Sequence, residues 1–318
     1  MSRNKADHLD PTFRNYTPEQ AAAYNRGRGK SKPDYVFEEI LQFHTAGHGQ
    51  YDTALDVGCG TGQVTRVLAR YFDHVLGADP SEQMVAQARK IGGETEGGGP
   101  IEYEVLGAEE LDNSTTVSPA SVDLLTAKMA AHWFRMDDFW PQAARMVKPG
   151  GTVALWTHSS LYCHPSTPNA AAVQQALSEL EDGMLGPFEL PPNRLSRAMY
   201  DTLPLPWSLE RPVAEFSEAD SLRREWNRDG GLEVGAVDFA GSGRDESLEE
   251  LGIGLDTASM VTRWREAHPE LAGTDRDCVA LTLRRVAEAM GMGGKSPADV
   301  RLKLGSATAL LLFRRRAD

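Results

Sequence analysis

Cysteine is scarce in this chain. Three occur in 318 residues, Cys59, Cys163 and Cys278, widely spaced and with no CxxC pair. An odd, scattered set excludes a disulfide framework and a zinc site, leaves no metal expected, and fits a reducing cytoplasmic setting. Long apolar runs are missing too. The longest late one, Ala307 to Phe313, has the length of a strand, against the ~20 residues of a membrane span. The opening stretch MSRNKADHLDPTF is polar and carries no secretory core segment. Positive charge is the third shortage. Lys plus Arg is 33 against 46 for Asp plus Glu, a net charge of −13. So acidic a surface gains little from a phosphate backbone or an anionic membrane, so neither is an expected partner. The late basic cluster Arg314–Arg316 reads as a solvated tail. Oligomeric state is not legible.

What is present is a long alternation of strand and helix signals. Residues 1–48 read as helical pieces able to form a lid. Thr17-Pro18-Glu19-Gln20 has the form of a helix start, and Val36, Phe37, Ile40 and Leu41 recur at helical spacing. Residues 49–159 carry strands at Thr53–Val57, Val75–Ala78, Ile101–Val105, Val122–Ala127 and Thr152–Thr157, with helical segments between them. That spacing predicts βαβ units and a parallel sheet. The pattern stops at 160. Residues 160–240 are rich in proline and read as a substrate cap, with Val213–Phe216 as a return strand. Residues 241–318 add helices around 247–266 and 276–290 and a last strand at Thr308–Phe313. The expected fold is α/β: a Rossmann-like, doubly wound, mostly parallel seven-stranded sheet with a helical cap inserted after the fifth strand.

The chemistry concentrates at the first strand's end, Asp56-Val57-Gly58-Cys59-Gly60-Thr61-Gly62. Glycines there let backbone approach a ligand, and the following helix, opening at Gln63, offers free N–H groups. Asp79, twenty-one residues after Gly58, ends the second strand, with Pro80 behind it and Met84 on the next helix. A carboxylate at that position accepts ribose hydroxyls. A dinucleotide site wants G-x-G-x-x-G; here the third glycine comes one residue early. The acid Asp56 suits a ligand with a positive amino or sulfonium group instead of a pyrophosphate. Glu109, in Gly107-Ala108-Glu109-Glu110, is a third acid after the third strand, readable equally as a helix-start residue.

The pattern D-x-G-x-G-x-G with Asp79 resembles class I S-adenosylmethionine-dependent methyltransferases. Further residues, Ala130-Ala131-His132-Trp133-Phe134, Leu185-Gly186-Pro187, Arg194, Arg197, Val261-x-x-Trp264 and the leader Tyr16 to Tyr24, are similar to the fungal and yeast trans-aconitate methyltransferase-like group. The likeness is strongest over 51–158. It implies S-adenosylmethionine as cofactor, S-adenosylhomocysteine as product, and a small acceptor. It also implies a cofactor set of Asp56, Gly58, Cys59, Gly60, Gln63, Asp79, Pro80, Met84, Ala108, Glu109, Tyr24 and Arg28. In that group a polar or acidic residue at the Glu109 position lies near the adenine amino group. The cap arginines here read N-R-L-S-R, a departure from the R-x-R-x-R spacing associated with aconitate recognition.

His132 lies just past the fourth strand, where open α/β sheets bind ligands. It is readable as a general base or as a group that orients ligands; Trp133 reads as packing beside it. Arg194 and Arg197 are three apart, so on a helix they share a face, either to clamp a carboxylate or as solvated lid residues. Tyr16, Tyr24 and Arg28 either close the N-terminal segment over the cofactor or pack loosely. The expected substrate set is Tyr16, His132, Trp133, Arg194 and Arg197. The functional expectation is O-methylation of a carboxylate or hydroxyl on a small, specialised metabolite. A protein of this fold that binds the cofactor without methylating is the alternative.

Overall fold

The structure, a computed structural model, describes residues 16–28, 35–228 and 244–317. Residues 1–15 and 29–34 of the expected lid, the side chain of Arg28, residues 229–240 of the expected cap and residues 241–243 lie outside the described residues. Among the described residues eight strands form one sheet: β1 Thr53–Val57, β2 His74–Asp79, β3 Glu102–Val105, β4 Val122–Lys128, β5 Val147–Cys163, β6 Phe216–Trp226, β7 Arg244–Ser247 and β8 Arg301–Arg315. Their order is β3-β2-β1-β4-β5-β8-β6, with β7 also on β8. β1 to β5 pair in parallel, while β8 runs antiparallel to β5, β6 and β7.

The expected seven strands are therefore corrected to eight in a mixed sheet. The reason is the length of β8. It spans 15 residues, against the six of the expected apolar strand Thr308–Phe313. Its outer edge is shared: β6 pairs with residues 308–315 and the four-residue β7 with 301–304. β5 likewise runs past residue 159 to Cys163 through a register shift between His158 and Leu161. β6 occupies part of the range read as cap.

Strands β1, β2 and β4 are near-continuous apolar runs because helices cover both faces. On one face Leu55, Leu125, Leu311 and Phe313 pack on Phe139 and Trp140 of helix α5 (Met136–Met146). On the other, Ala54, Leu124, Leu310 and Leu312 meet α2 (Tyr35–Ala46) through Val36, Phe37 and Ile40 and α3 (Gln63–Leu68) through Val64 and Leu68. Helix α4 (Glu82–Ile91) is N-capped by Ser81 and joins this second layer through Val85 and Ala88.

The cap carries helices α6 (Ala170–Ser178) and α7 (Pro191–Arg197). It is anchored at its far end by Trp140, whose indole N–H donates to the Pro204 carbonyl at 3.0 Å. Val173 and Leu177 of α6 share a cluster with Leu248 and Leu251 of α8 (Leu248–Leu255) and, beyond α9 (Ser259–Ala267), with Val286 of α10 (Cys278–Ala289). Cap and C-terminal helices thus pack as one layer. The first helix, α1 (Pro18–Arg28), meets α8 at Gly27, where an added Cβ would stand 2.6 Å from the Ile253 carbonyl oxygen.

Candidate functional site

The strand order reverses between β1 and β4, and the groove beyond their C-terminal ends is where such sheets bind ligands. The glycine loop lies there. Gly58, Gly60 and Gly62 all have positive φ (68°, 55° and 83°), a conformation that disfavours a side chain. Two of them also have no room. A Cβ on Gly58 would lie 2.5 Å from the Ala130 methyl, and one on Gly62 would lie 2.5 Å from the Tyr103 hydroxyl. Gly60 differs: the nearest atom to an added Cβ is Cε1 of Tyr24 at 3.7 Å, so the loop leaves a gap under α1. The loop is tied to β2, with the Gly58 and Cys59 N–H groups donating to the Ala78 carbonyl and Gly60 N–H to Asp79 Oδ2 at 2.9 Å.

Three acids border this loop. Asp79 is 9% exposed and holds both Gly60 N–H and Ser81 N–H. Glu109 accepts the Arg135 N–H at 2.8 Å and so joins the loops after β3 and β4. Asp56 is sealed at 1% exposure, its two oxygens taking the hydroxyls of Thr65 (2.7 Å) and Thr126 (3.0 Å). Burial pushes its pKa up to about 6 against those two hydrogen bonds. Sequence reading gave it a direct contact with a cationic ligand; in the structure it would act through its charge. Cys59 is buried against Gly77, and burial raises its thiol well above the ordinary range, with Asp79 and Asp56 adding to the effect. Ala108 and Met84 are buried, Gln63 bonds the Thr61 hydroxyl at 2.8 Å, and Pro80 is exposed.

The N-terminal helix comes to this loop. Tyr16 and Tyr24 meet edge to face at 6.3 Å and share a cluster with Met84. Thr61 Oγ1 donates to Asn25 Oδ1 at 3.2 Å, a bridge from loop to α1 that sequence reading missed.

His132 sits in a single turn after β4, 8% exposed. Its Nδ1 is 3.0 Å from the hydroxyl of Tyr200, a residue with no signal in the sequence. The imidazole also faces Trp133, ring centres 5.3 Å apart. Burial alone pushes the histidine pKa down to about 3. Tyr200 is 1% exposed, and burial pushes its phenol up, opposed by the Thr157 hydroxyl and the backbone N–H groups of His132 and Ala131. Thr157 continues the buried polar chain to Ser196 of α7 at 2.6 Å. Met199 and Tyr200 both hold positive φ (54° and 62°), at a cost of about 1–3 kcal/mol each. Arg223 steadies the bend by donating to the Met199 carbonyl at 2.7 Å.

The cap arginines share α7 but are engaged by acids. Arg197 pairs with Asp182 (2.7 Å) and Glu189 (3.0 Å), and Arg194, 74% exposed, reaches Glu189 at 3.3 Å. A carboxylate ligand would compete with Glu189 for both. The structure thus brings together the glycine loop, Asp79, Tyr24 and Tyr16, ties Glu109 to the loop after β4 that carries His132, and puts the arginine pair in an ion network of the cap.

Residues 55–155 match the family described as methyltransferase domain. A Dictyostelium discoideum protein assigned as a methyltransferase is 35% identical over 107 residues, 34% of this chain and 36% of that one. CRG1 of Saccharomyces cerevisiae, assigned as an S-adenosylmethionine-dependent methyltransferase, is 33% identical over 152 residues, 48% of each chain. The matched region spans half or less of these curated relatives. Among solved structures, a protein from Anaeromyxobacter dehalogenans assigned as a type II methyltransferase aligns with 25% identity and a TM-score of 0.56. It covers 87% of this chain and 96% of its own. The core thus has the fold of a methyltransferase domain, a fold whose cofactor is S-adenosylmethionine. The residues present fit that molecule. The gap above Gly60 is a cradle that a Cβ would fill, Asp79 at the end of β2 can take ribose hydroxyls, and the buried Asp56 favours a cationic ligand over a pyrophosphate.

Proposed function

We propose that this protein transfers a methyl group from S-adenosylmethionine to an oxygen of a small, specialised metabolite in the cytoplasm. The reading is supported by the glycine loop, bonded to Asp79 at the end of β2, crowded by Ala130 of the loop that carries His132 after β4, and with Tyr24 of α1 above Gly60. Asp79 would take the ribose hydroxyls, Glu109 and Ala108 would flank the adenine, and the Gly58–Gly60 backbone would carry the amino-acid part of the cofactor. Tyr16 and Tyr24 would close over it and exclude water. The bound cofactor supplies a methyl group made electrophilic by its positive sulfur. The protein's contribution is alignment, a term that can reach about 7–11 kcal/mol in well-oriented reactions. His132 and Trp133 stand on the acceptor side.

Likeness to the trans-aconitate methyltransferase-like group lies in the loop after β4 and the cap, but the engaged arginines argue for an acceptor other than a tricarboxylate. Thermal unfolding with S-adenosylhomocysteine tests the cofactor site. Ligand at about 100 times its Kd should add ~2.7 kcal/mol to wild type. Asp79→Ala should abolish that gain. An unshifted, folded wild type would end the methyl-transfer proposal.

A further inference from the structure

The described residues give His132 one hydrogen-bond partner, the Tyr200 hydroxyl at Nδ1; they offer none to Nε2. The direction of that one bond decides what the histidine can do. A phenol O–H is a far stronger acid than the N–H of a neutral imidazole, and an imidazole nitrogen is the better acceptor of the two. The tyrosine oxygen is also approached by the backbone N–H groups of Ala131 and His132, which can only donate. The Thr157 hydroxyl, also on this oxygen, can donate or accept, but the imidazole nitrogen is the stronger acceptor, so the single phenol hydrogen goes to Nδ1. Burial in a shell of Trp133, Tyr200 and apolar cap residues keeps the ring uncharged, and no charged group contributes to its titration. The two positive-φ residues Met199 and Tyr200 fix the hydroxyl at this spot, and Thr157 and Ser196 back it from β5 and α7.

We infer that Tyr200 is a positioning residue that locks His132 as the Nε2–H tautomer, so that the histidine offers the acceptor a hydrogen bond and does not take its proton. The class of acceptor follows. An N–H donor with no base beside it suits an oxygen that is ionised before it binds, a carboxylate or a strongly acidic enol or phenol. A neutral alcohol would still need its proton removed. This rests on the methyl-transfer reading for the identity of the ligand, but the state of the ring stands apart from it.

The test is long-range proton–nitrogen NMR on the full chain with 15N-labelled histidine, with and without S-adenosylhomocysteine. The His132 signals are assigned by their loss in His132→Gln. In wild type, Nε2 should appear protonated and Nδ1 unprotonated, unchanged between about pH 5 and 8. Tyr200→Phe, which keeps the ring and the burial and loses the donor, should mix the two tautomers while the imidazole stays uncharged. A protonated Nδ1 in wild type, a titration in this range, or indifference to Tyr200→Phe each overturns the inference. Absence of any S-adenosylhomocysteine effect on unfolding, with the tautomer as stated, would refute the methyl-transfer reading and leave this one standing. With an acceptor found by screening acids against alcohols of matched shape, His132→Gln, which presents an N–H near the place of Nε2–H, should keep kcat within about tenfold of wild type. His132→Ala should lose far more, and equal losses in the two variants would count against the donor role.

Discussion

Gly58 and Gly60 share a loop and a left-handed backbone, yet alanine should act on them in opposite ways. At Gly58 the φ of 68° costs an L-residue about 1–2 kcal/mol. The new methyl would also lie 2.5 Å from the Ala130 methyl. Neither carbon sits on a flexible side chain, so strands β1 and β4 must part or the loop must lift, adding about 1–3 kcal/mol. The total is roughly 2–5 kcal/mol. At Gly60 the φ penalty is similar, but the nearest atom is 3.7 Å away, an ordinary contact. Gly60→Ala should cost only about 1–2 kcal/mol of stability. Its methyl, however, enters the cradle beneath Tyr24. Thermal unfolding with and without S-adenosylhomocysteine separates the two effects. At about 2 °C per kcal/mol for a chain of this size, Gly58→Ala should lose roughly 4–10 °C and Gly60→Ala roughly 2–4 °C. The order reverses for the ligand: Gly60→Ala should lose most of its S-adenosylhomocysteine stabilisation. If Gly60→Ala destabilises the free protein as much as Gly58→Ala, or binds the ligand normally, the cradle is misplaced.

Three further outcomes follow from the same geometry. Asp56 has a raised pKa, about 6 against 3.8, so the folded state keeps a proton that the unfolded chain has lost. Its contribution is full below about pH 4 and is lost as pH rises to about 6, a swing of up to ~3 kcal/mol. Urea unfolding without ligand should therefore show wild type losing stability relative to Asp56→Asn over that range; a gap that moves the other way refutes the assignment. Tyr24→Ala removes the ring over Gly60 and should weaken S-adenosylhomocysteine about tenfold (roughly 1.4 kcal/mol), seen by stopped flow mainly as faster dissociation. Asp277, 2% exposed, caps α10 through Val279 N–H and pairs with Arg265 at 2.7 Å. Asp277→Ala should cost about 3–5 kcal/mol by chemical denaturation; a loss under 1 kcal/mol would mean that the cap and pair contribute little.

The cofactor half of the site was legible because its chemistry is local. Asp56, the glycines and Asp79 lie at strand ends, where a change from strand to helix periodicity marks the turn, and the pairing of β1 with β2 brings them together. The acceptor half was not. Tyr200 lies 68 residues from His132, at the end of a proline-rich stretch, and only the folding back of α7 joins them. Asp56 read as a ligand contact because Thr126, 70 residues on, is invisible as its partner. Strand β7 has the sequence Arg-Asp-Glu-Ser and no apolar side chain; it is held by backbone pairing to β8, which composition does not record. The carboxylate clamp failed to emerge for a similar reason: Glu189 and Asp182 precede the arginines on separate turns.

The two halves solve the same conformational problem differently. Around the cofactor the backbone itself must approach the ligand, and the left-handed positions at 58, 60 and 62 are glycines, which adopt them at little cost. Around His132 the left-handed positions are Met129, Met199 and Tyr200. There the side chains are needed. The Met129 sulfur accepts the His158 N–H, Met199 is buried at 3% exposure in the main core, and Tyr200 holds His132. Glycine at these three places would relieve a few kcal/mol of strain and remove each of those contacts. Strain kept where a cheaper residue exists marks the geometry of this end as a requirement. On the proposed reading, the determinants of the acceptor then belong to the loop after β4 and the bend after α7 more than to the glycine loop.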